Sequence, residues 1–421
     1  ASTLYAMAGD DCSLHHDLSS LTPKQQVDHQ ENQVLTCALQ VALVGLGKKN
    51  DHVALGAPFT DPSWREMLGH YSEMFSAMGL DSVPADQWQF HPLDGYYESV
   101  AASLPEVDLT NLYMISGSNE PLHQDPEALA VSRNVNSKLH FAEHAPQAGL
   151  PVPRTEVYSK RAIREGEADR MFSELPNGVM VKLLGLAGSR NVFAVDSVAD
   201  CLDQIVEYDD AVQMLLQEKL DISQWREMTV DLTITPQDVS ISNVRQILFA
   251  GGKWVGNYIS PELEVPEAHK AVLMQVGAYA RDHGHVAKEG INCGIDYFVS
   301  GDEVIVTEIN ARWTGGLFPA EFLRRLAITQ PAVAFFDMVP EAQSEAVRTF
   351  QREHLFPAAG DPFAYVPMGF TPFAMEIEGA GRCFVWQIVV GDFASFVEAK
   401  RQALTEDAFP TAELILQEAL S

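Results

Sequence analysis

The feature that most constrains this chain is a predicted β-hairpin over residues 294–310 that sets two acidic side chains against each other. Its two halves are rich in β-branched and aromatic residues, and they flank the sequence Ser-Gly-Asp at 300–302, a pattern typical of a hairpin. If the turn is centred on Asp302, Asp296 lies directly opposite Glu308. Opposed carboxylates destabilise a sheet unless a positive charge neutralises them. The hairpin therefore predicts a site for a cation.

Asn310 adds a third oxygen ligand to this pair. It follows Glu308 by two residues, and alternate residues of a strand share a face. Two carboxylates and an amide are hard ligands of the kind that Mg²⁺ prefers, often together with substrate phosphates; Mn²⁺ is the alternative metal. The competing interpretation is a solvated strand face. Against it stand the apolar neighbours Ile295, Phe298, Val304 and Ile309.

The charge balance of the chain limits its partners. Among 421 residues, 28 Lys and Arg face 58 Asp and Glu, so the formal net charge is −30. A surface this acidic repels phosphate backbones and anionic lipids, which predicts no nucleic-acid partner and no membrane partner. Any phosphate ligand must then be held by a local cluster of donors, with a bridging cation.

Cysteine usage and the N-terminal residues indicate a compartment. The five cysteines are widely spaced without a CxxC pair, which favours reduced thiols over a disulfide framework or a zinc site. The first residues lack the basic and apolar regions of a signal peptide, and the apolar stretch Leu35–Gly47 is too short to span a bilayer. These observations predict a cytoplasmic protein.

A lysine and a glycine-rich loop form a second candidate site. Lys182 shares its predicted strand face with Met180 and Leu184, so its ammonium is half-buried and needs an anion. The loop that follows, Gly185–Ser189, can present backbone N–H groups and a hydroxyl to phosphates, although no Walker A sequence is present. The alternative is a lysine that merely extends from a strand into a glycine turn.

The remaining pattern predicts an α/β protein. Residues 1–130 alternate apolar runs, such as 41–44 and 112–115, with helix-like segments such as 64–79, which indicates a few parallel strands. One helix is predicted from about 126 to 145. The later predicted elements are strands over 178–184, 211–218 and 227–235, a hairpin over 244–258, a helix over 266–283 and, beyond a Pro/Gly-rich stretch at 356–372, a strand over 382–390 and a helix over 393–403.

Several weaker signals gain weight from their order. Lys138 alone would be an exposed helix lysine, and Glu227 shares a polar strand face with Thr229 and Asp231. Together with the two candidate sites, these residues resemble the ATP-grasp superfamily of ATP-dependent carboxylate–amine ligases over about 134–316. The segment after 380 is also similar to the tail of pheganomycin-type peptide ligases.

The resemblance implies a role for each matching residue. The nucleotide would be bound by Lys138, Lys182, Gly188, Ser189, Glu218, Lys219, Leu220 and Glu227, with Glu227 on the ribose and Glu218 to Leu220 on the adenine. The metal ligands would be Asp296, Glu308 and Asn310. The catalytic residues would be Arg312, Lys182 and Arg190, and the substrate would meet Arg312, Arg245, Gly315 and Gly316.

Two positions depart from the superfamily pattern. The loop usually ends Ser-x-Gly-Val, whereas here Arg190 and Asn191 follow the serine, and the arginine adds a cation near the γ-phosphate. Gly294 stands where some relatives carry a substrate-binding arginine. The substrate carboxylate would then meet Arg312 or Arg245, and Arg245 is alternatively a strand-surface charge.

The resemblance also implies a domain plan and a reaction. An N-terminal α/β domain (1–133) would precede the small ATP-grasp lobe (134–215), the large lobe with the metal site (216–340) and a small α+β segment (341–421). The reaction would join a small-molecule carboxylate, drawn from amino acids or short peptides, to an amine through an acyl phosphate, converting ATP to ADP and phosphate. A homodimer is compatible with this plan.

Three alternatives stay open. The same fold could act on bicarbonate, another small carboxylate or a purine intermediate, or it could bind ATP without turnover. An NAD(P) enzyme could be argued from Gly45 and Gly47 after a predicted strand over 41–44, but Asn50 occupies the third glycine position.

Overall fold

The computed structural model describes most of the chain. The described residues are 2–8, 23–103, 108–110, 119, 122, 126–184, 192–372, 375–377 and 380–420. The predictions for Gly188, Ser189 and Arg190 and for the apolar run at 112–115 lie outside these residues. Among the described helices, none is both long and apolar enough to cross a membrane.

The N-terminal region contains the parallel sheet that the sequence predicts. Its four strands lie in the order β3-β2-β1-β4, and each pair is parallel. In chain order the elements are β1 (Thr3–Tyr5), α1 (Pro23–Leu46), β2 (His52–Gly56), α2 (Pro62–Ala77), β3 (Trp88–His91), α3 (Tyr96–Ala102) and β4 (Asp108–Thr110).

The strand predicted over residues 41–44 is wrong. The apolar run 41–44 lies inside α1 and is buried, because a helix buried on all sides has the same uninterrupted apolar pattern as a buried strand. The placement of this run in a helix also removes the strand on which the NAD(P) alternative depended.

A second prediction is also wrong, because the single helix expected over 126–145 is broken into two helices, α4 (Pro126–Val135) and α5 (Lys138–His144). The break lies at Ser137, whose hydroxyl accepts a hydrogen bond from the backbone N–H of His140 at 3.2 Å and so begins a new helix.

A small antiparallel sheet follows, with the strand order β5-β8-β6-β7. Its core contains apolar residues of three short helices that pack on it. The elements are β5 (Thr155–Ser159), α6 (Lys160–Arg164), α7 (Asp169–Glu174), β6 (Val179–Leu183), β7 (Val192–Val195), α8 (Val198–Gln204) and β8 (Gln213–Glu218).

The largest element is a nine-stranded sheet with the order β13-β12-β9-β10-β11-β14-β17-β15, in which β16 pairs with β17. Its strands are β9 (Arg226–Ile234), β10 (Val239–Ala250), β11 (Lys253–Ile259), β12 (Ile291–Ser300), β13 (Glu303–Asn310), β14 (Ala332–Pro340), β15 (Phe363–Phe370), β16 (Met375–Ile377) and β17 (Ala380–Gly391). The accompanying helices are α9 (Glu267–Asp282), α10 (Leu317–Arg325), α11 (Ser344–Glu353), α12 (Phe393–Ala403) and α13 (Pro410–Leu414). Both predicted hairpins are present.

From its composition, the Pro/Gly-rich stretch at 356–372 is expected to separate the last segment from the rest of the chain, but the structure shows no such separation. It contains β15, which is buried throughout and is the last strand of the nine-stranded sheet. Pro367 is tolerated in β15 because the register shifts there and the strand lies at the edge of the sheet. One apolar core contains residues of α1, α2, β15 and β17. The division of the chain into four domains stays a prediction.

Candidate active site

The nine-stranded sheet carries a polar face where β9, β12 and β13 lie side by side. Thr229 of β9 pairs with Asp296 of β12, and Asp296 pairs with Glu308 of β13. The opposition of the two acids is therefore as predicted. Asn310 lies on the same face and donates a hydrogen bond from its amide to the Asp296 carboxylate at 3.0 Å.

A β-bulge produces this pairing. The turn is shorter than the sequence suggested, since Ser300 already pairs with Glu303, and regular pairing from there would set Glu308 against the buried Ile295. One extra residue, Thr307, restores the opposition of Glu308 and Asp296. The Thr307 hydroxyl donates to the Asp296 backbone carbonyl at 3.1 Å, which holds the bulge in place.

Both predicted phosphate lysines converge on this hairpin. The Lys138 ammonium, at the start of α5, forms an ion pair with the Glu308 carboxylate. The Lys182 ammonium is buried, with 6% of the residue exposed, and lies 3.4 Å from the backbone carbonyl of Thr307. Two segments about 170 and 125 residues away in sequence thus supply the positive charge that the opposed acids require.

The charges of the cluster depend on one another. Burial, opposed by Glu308, lowers the pKa of Lys182 to about 8. Burial and the neighbouring Asp296 raise the pKa of Glu227 to about 8. Burial and the Glu308 charge also raise the pKa of Asp296. Burial would do the same for Glu308, but the positive charges of Lys138 and Lys182 outweigh it and lower its pKa. The cluster therefore favours an added cation near Asp296 and Glu227.

The donor set fits Mg²⁺ better than a softer metal. Among the described residues, no group of three or more His, Cys, Asp or Glu side chains is arranged to hold a metal ion. Asp296, Glu308 and Asn310 supply two carboxylates and one amide oxygen. This is the partial, all-oxygen set that Mg²⁺ accepts when water or phosphates complete its shell.

Arg312, which follows β13 closely, faces the segment that carries Lys138. Its guanidinium donates to the side-chain oxygen of Asn136 at 3.1 Å. Its backbone carbonyl accepts a hydrogen bond from the Asn292 amide at 2.7 Å. The arginine is thereby held from both the helix side and the sheet side.

Arg245, the second predicted carboxylate ligand, is 1% exposed, so the strand-surface alternative is wrong. Its guanidinium forms a buried ion pair with Asp231 at 2.5 Å and lies within 3.4 Å of the Thr229 and Thr314 hydroxyls. Gly316 packs against it, since a Cβ at Gly316 would lie 2.4 Å from the Arg245 Nε. Any role of Arg245 toward a substrate stays a prediction.

The glycines near Arg312 differ in how much space a side chain would have. A Cβ added at Gly315 would meet no atom within 4 Å, whereas one at Gly294 would lie 2.2 Å from the methyl group of Thr314. No side chain fits at Gly294 without displacing Thr314. The structure thus accommodates glycine at this position and leaves no room there for an arginine.

The predicted adenine segment, Glu218 to Leu220, connects the small antiparallel sheet to the nine-stranded sheet. The Glu218 N–H donates to the Arg154 carbonyl at 2.8 Å and the Lys219 N–H to the Gly178 carbonyl at 3.4 Å, while Leu220 follows, half-buried. A cavity of about 310 Å³ lies between the small sheet, α5 and β13. Its lining includes Lys138, Lys182, Leu215, Gln217, Thr307 and Glu308, but neither Glu218 nor Glu227.

Sequence reasoning missed four polar residues that hold this site together: Asn136, Asn292, Thr307 and Thr314. Each acts through a contact to a segment far away in sequence or through a bulge, which periodicity does not reveal. A usable signal existed only for Asn136, because the Asn-Ser pair before Lys138 is typical of a helix start.

Comparison with known proteins was informative at the level of structure. No protein-family model matches the sequence, and no curated protein matches it. The carboxyaminoimidazole ribonucleotide synthase of Aspergillus clavatus, complexed with ATP, matches with a TM-score of 0.56 at 14% identity, over 87% of this chain and 97% of that chain. The N5-carboxyaminoimidazole synthetase of Staphylococcus aureus matches with a TM-score of 0.56 at 11% identity, over 96% and 97%.

A third match, the phosphoribosylamine–glycine ligase of Thermotoga maritima, has a TM-score of 0.51 at 14% identity, over 99% of this chain and 96% of that chain. The chain has the ATP-grasp fold. The fold class predicted from the sequence is thus confirmed. The finer resemblance to pheganomycin-type ligases stays a prediction.

Proposed function

We propose that this ATP-grasp protein is an ATP-dependent carboxylate–amine ligase that acts on amino acids or short peptides. One observation carries the proposal: Lys138 and Lys182 converge on the opposed acids Asp296 and Glu308, with Arg312 beside them. The likeness to structures named as a ribonucleotide synthase and a glycine ligase supports the same class of reaction.

The chemistry proceeds in two balanced steps. A carboxylate oxygen of the acid attacks the γ-phosphorus of ATP, an O–P bond forms, and the bond to the β,γ-bridging oxygen breaks to release ADP. The amine nitrogen then attacks the acyl carbon of the acyl phosphate, the C–O bond to phosphate breaks, and the nitrogen loses a proton to solvent. The products are an amide, ADP and phosphate.

The proposed role of each residue follows from its charge. Phosphoryl transfer depends on positioning and charge neutralisation, which Lys138 and Lys182 supply toward the phosphates. Asp296, Glu308 and Asn310 would hold Mg²⁺, which when bound screens the phosphate charge. Arg312 would hold the carboxylate and later the acyl phosphate. Glu218 to Leu220 and Glu227 are the proposed adenine and ribose ligands, and Gly188, Ser189 and Arg190 the proposed loop over the phosphates.

The first experiment is a measurement of ATP consumption with Mg²⁺ against a panel of amino acids and short peptides. ADP and phosphate that appear only with a particular acid and amine would support the ligase and identify its substrates. AMP with pyrophosphate would refute the acyl-phosphate route. Tight ATP binding without turnover on the full panel would favour a non-catalytic ATP-binding module.

Bicarbonate belongs in the same panel as the acid of a second candidate function. Two of the matched structures carry names that describe a carboxylated aminoimidazole. ATP consumption that depends on bicarbonate and a small amine, and on no amino acid, would favour this alternative.

A further inference from the structure

We infer that Asn136 is a positioning residue that sets the guanidinium of Arg312 for its anionic ligand; this inference rests on the proposed function of Arg312. Asn136 lies in the break between α4 and α5, two residues before Lys138. Its side-chain oxygen accepts the Arg312 Nη1–H at 3.1 Å. It thus connects the segment of the proposed phosphate lysine to the proposed carboxylate arginine.

The orientation of the Asn136 amide is determined by its surroundings. Its nitrogen donates to two backbone carbonyls, that of Ser132 at 3.0 Å and that of Ala311 at 3.3 Å. Both are acceptors, so only the amide nitrogen can face them, and the oxygen must face the guanidinium. Aspartate or leucine at this position could not satisfy both sides.

Asn136 therefore holds Arg312 at two points. The bond to the Ala311 carbonyl holds the backbone just before the arginine, and the bond to Nη1 holds the end of its side chain. On the sheet side, Asn292 donates to the Arg312 carbonyl at 2.7 Å and to the Asp231 carboxylate at 2.9 Å. The backbone next to Arg312 is thus held from both sides, and Asn136 in addition directs the end of the guanidinium.

A positioning role makes a specific energetic prediction. A hydrogen bond to a charged group is strong enough to fix the direction of a guanidinium, and we expect a misdirected Arg312 to lower the affinity for an anion about 10-fold. If Asn136 acts through Arg312, this loss must vanish once the guanidinium is gone. A residue that only supports the fold would instead weaken binding by the same factor in either background.

The test is a double-mutant cycle with phosphonoacetate, a probe that carries a carboxylate and a phosphonate, bound to the Mg·ADP-loaded full chain and measured by calorimetry. The variants are Asn136→Ala, Arg312→Met and the double variant, and the control is Asn134→Ala, an exposed asparagine two residues away. We expect Asn136→Ala to weaken phosphonoacetate binding about 10-fold with Mg·ADP affinity unchanged. The double variant should bind as weakly as Arg312→Met alone, and Asn134→Ala as the wild type.

Three outcomes would overturn the inference: equal loss from Asn136→Ala in both backgrounds, no loss from it, or wild-type binding of phosphonoacetate no tighter than that of Arg312→Met. If Asn136→Ala lowers Mg·ADP affinity, Asn136→Ser replaces it in the same cycle. The proposed ligase is tested separately by ATP consumption. If Asn136 and Arg312 are coupled in phosphonoacetate binding but no substrate pair consumes ATP, the positioning role stands and the ligase is refuted. If ATP is consumed but Asn136→Ala binds phosphonoacetate as the wild type does, the ligase stands and the positioning role is refuted.

Discussion

At the scale of single residues, the candidate site is a balance of buried charges. Glu308 meets the ammonium of Lys138 and lies near that of Lys182, so its buried charge has two positive partners. A buried carboxylate without such partners would be too costly to keep ionised. The same balance makes Glu308 the residue whose neutralisation tests the site most directly.

Glu308→Gln keeps the size of the side chain and removes its charge. We expect ATP consumption to fall about 100-fold or more, because one ligand of the proposed metal and the partner of two lysines are lost together. The matched control is Glu303→Gln, the same change on an exposed residue of the same strand. ADP formation at saturating ATP measures both, and equal activity of the two variants would exclude the site.

Three histidines form a second residue-scale feature, away from the acids. The His140 ring stacks on that of His144 with centroids 4.0 Å apart, and His283 lies 5.1 Å from His140. Burial, followed by the neighbouring charges of His144 and His283, lowers the pKa of His140, which Glu143 opposes only in part. The unfolded chain therefore takes up a proton here more readily than the folded chain.

This difference sets the direction of a pH dependence. Since the folded pKa of His140 lies below its unfolded value of about 6.5, acidification through that range favours the unfolded state, and stability rises again toward neutral pH. Glu227, whose pKa is raised, contributes with the opposite sign over the same range, so the test compares two proteins. We expect the free energy of unfolding in urea, taken at pH 5.5 relative to pH 7.5, to be more favourable in His140→Gln than in the wild type. The same pH dependence in both proteins would show that His140 does not contribute.

At the scale of elements, what decides the site is where helices and strands are interrupted. Ser137 separates α4 from α5 and so sets Lys138 at a helix start, and Thr307 shifts β13 by one residue and so sets Glu308 against Asp296. The sequence correctly predicted that Asp296 and Glu308 lie opposite each other, but it did so from a turn centred on Asp302. The observed turn is centred between Gly301 and Asp302, and the bulge at Thr307 makes up the difference. Periodicity finds the elements, but caps and bulges depend on tertiary contacts that it does not contain.

Ser137→Ala tests the helix interruption. Loss of the hydroxyl that caps α5 should lower the free energy of unfolding by about 1 kcal/mol. Ser137→Thr keeps the hydroxyl and should remain close to the wild type. Urea denaturation of the three proteins measures the difference, and a threonine variant as unstable as the alanine variant would show that the cap contributes little.

At the scale of the whole molecule, the N-terminal region and the last segment share one core. The sequence predicted some of their elements, among them α12 with its observed bounds, but not their association, because apolar runs do not identify their partners. Arg245 illustrates the same limit, since its burial depends on Asp231, a partner on the neighbouring strand. The helix α1 packs closely on β15 at Gly369, because a glycine has no Cβ to separate the two backbones.

Gly369→Ala tests this contact. A Cβ there would lie 2.1 Å from the backbone oxygen of Ala38, and backbone cannot yield as a side chain does. We expect a loss of about 3 kcal/mol in the free energy of unfolding. The control is Gly69→Ala in α2, where a Cβ meets nothing within 4 Å and the change should add about 0.5–1 kcal/mol. Changes of the same sign in both variants would contradict this account.

The continuity of the nine-stranded sheet has a consequence for recombination between related chains. β14 and β17 are paired from Ala332 to Pro340, so a crossover at 341 would pair strands from two parents along the whole of β14. The same crossover would also divide the apolar core that α1 shares with β15. A viable chimera would have to inherit α1 together with β9 and all later strands of the nine-stranded sheet, so that segments far apart in the sequence are exchanged as one unit.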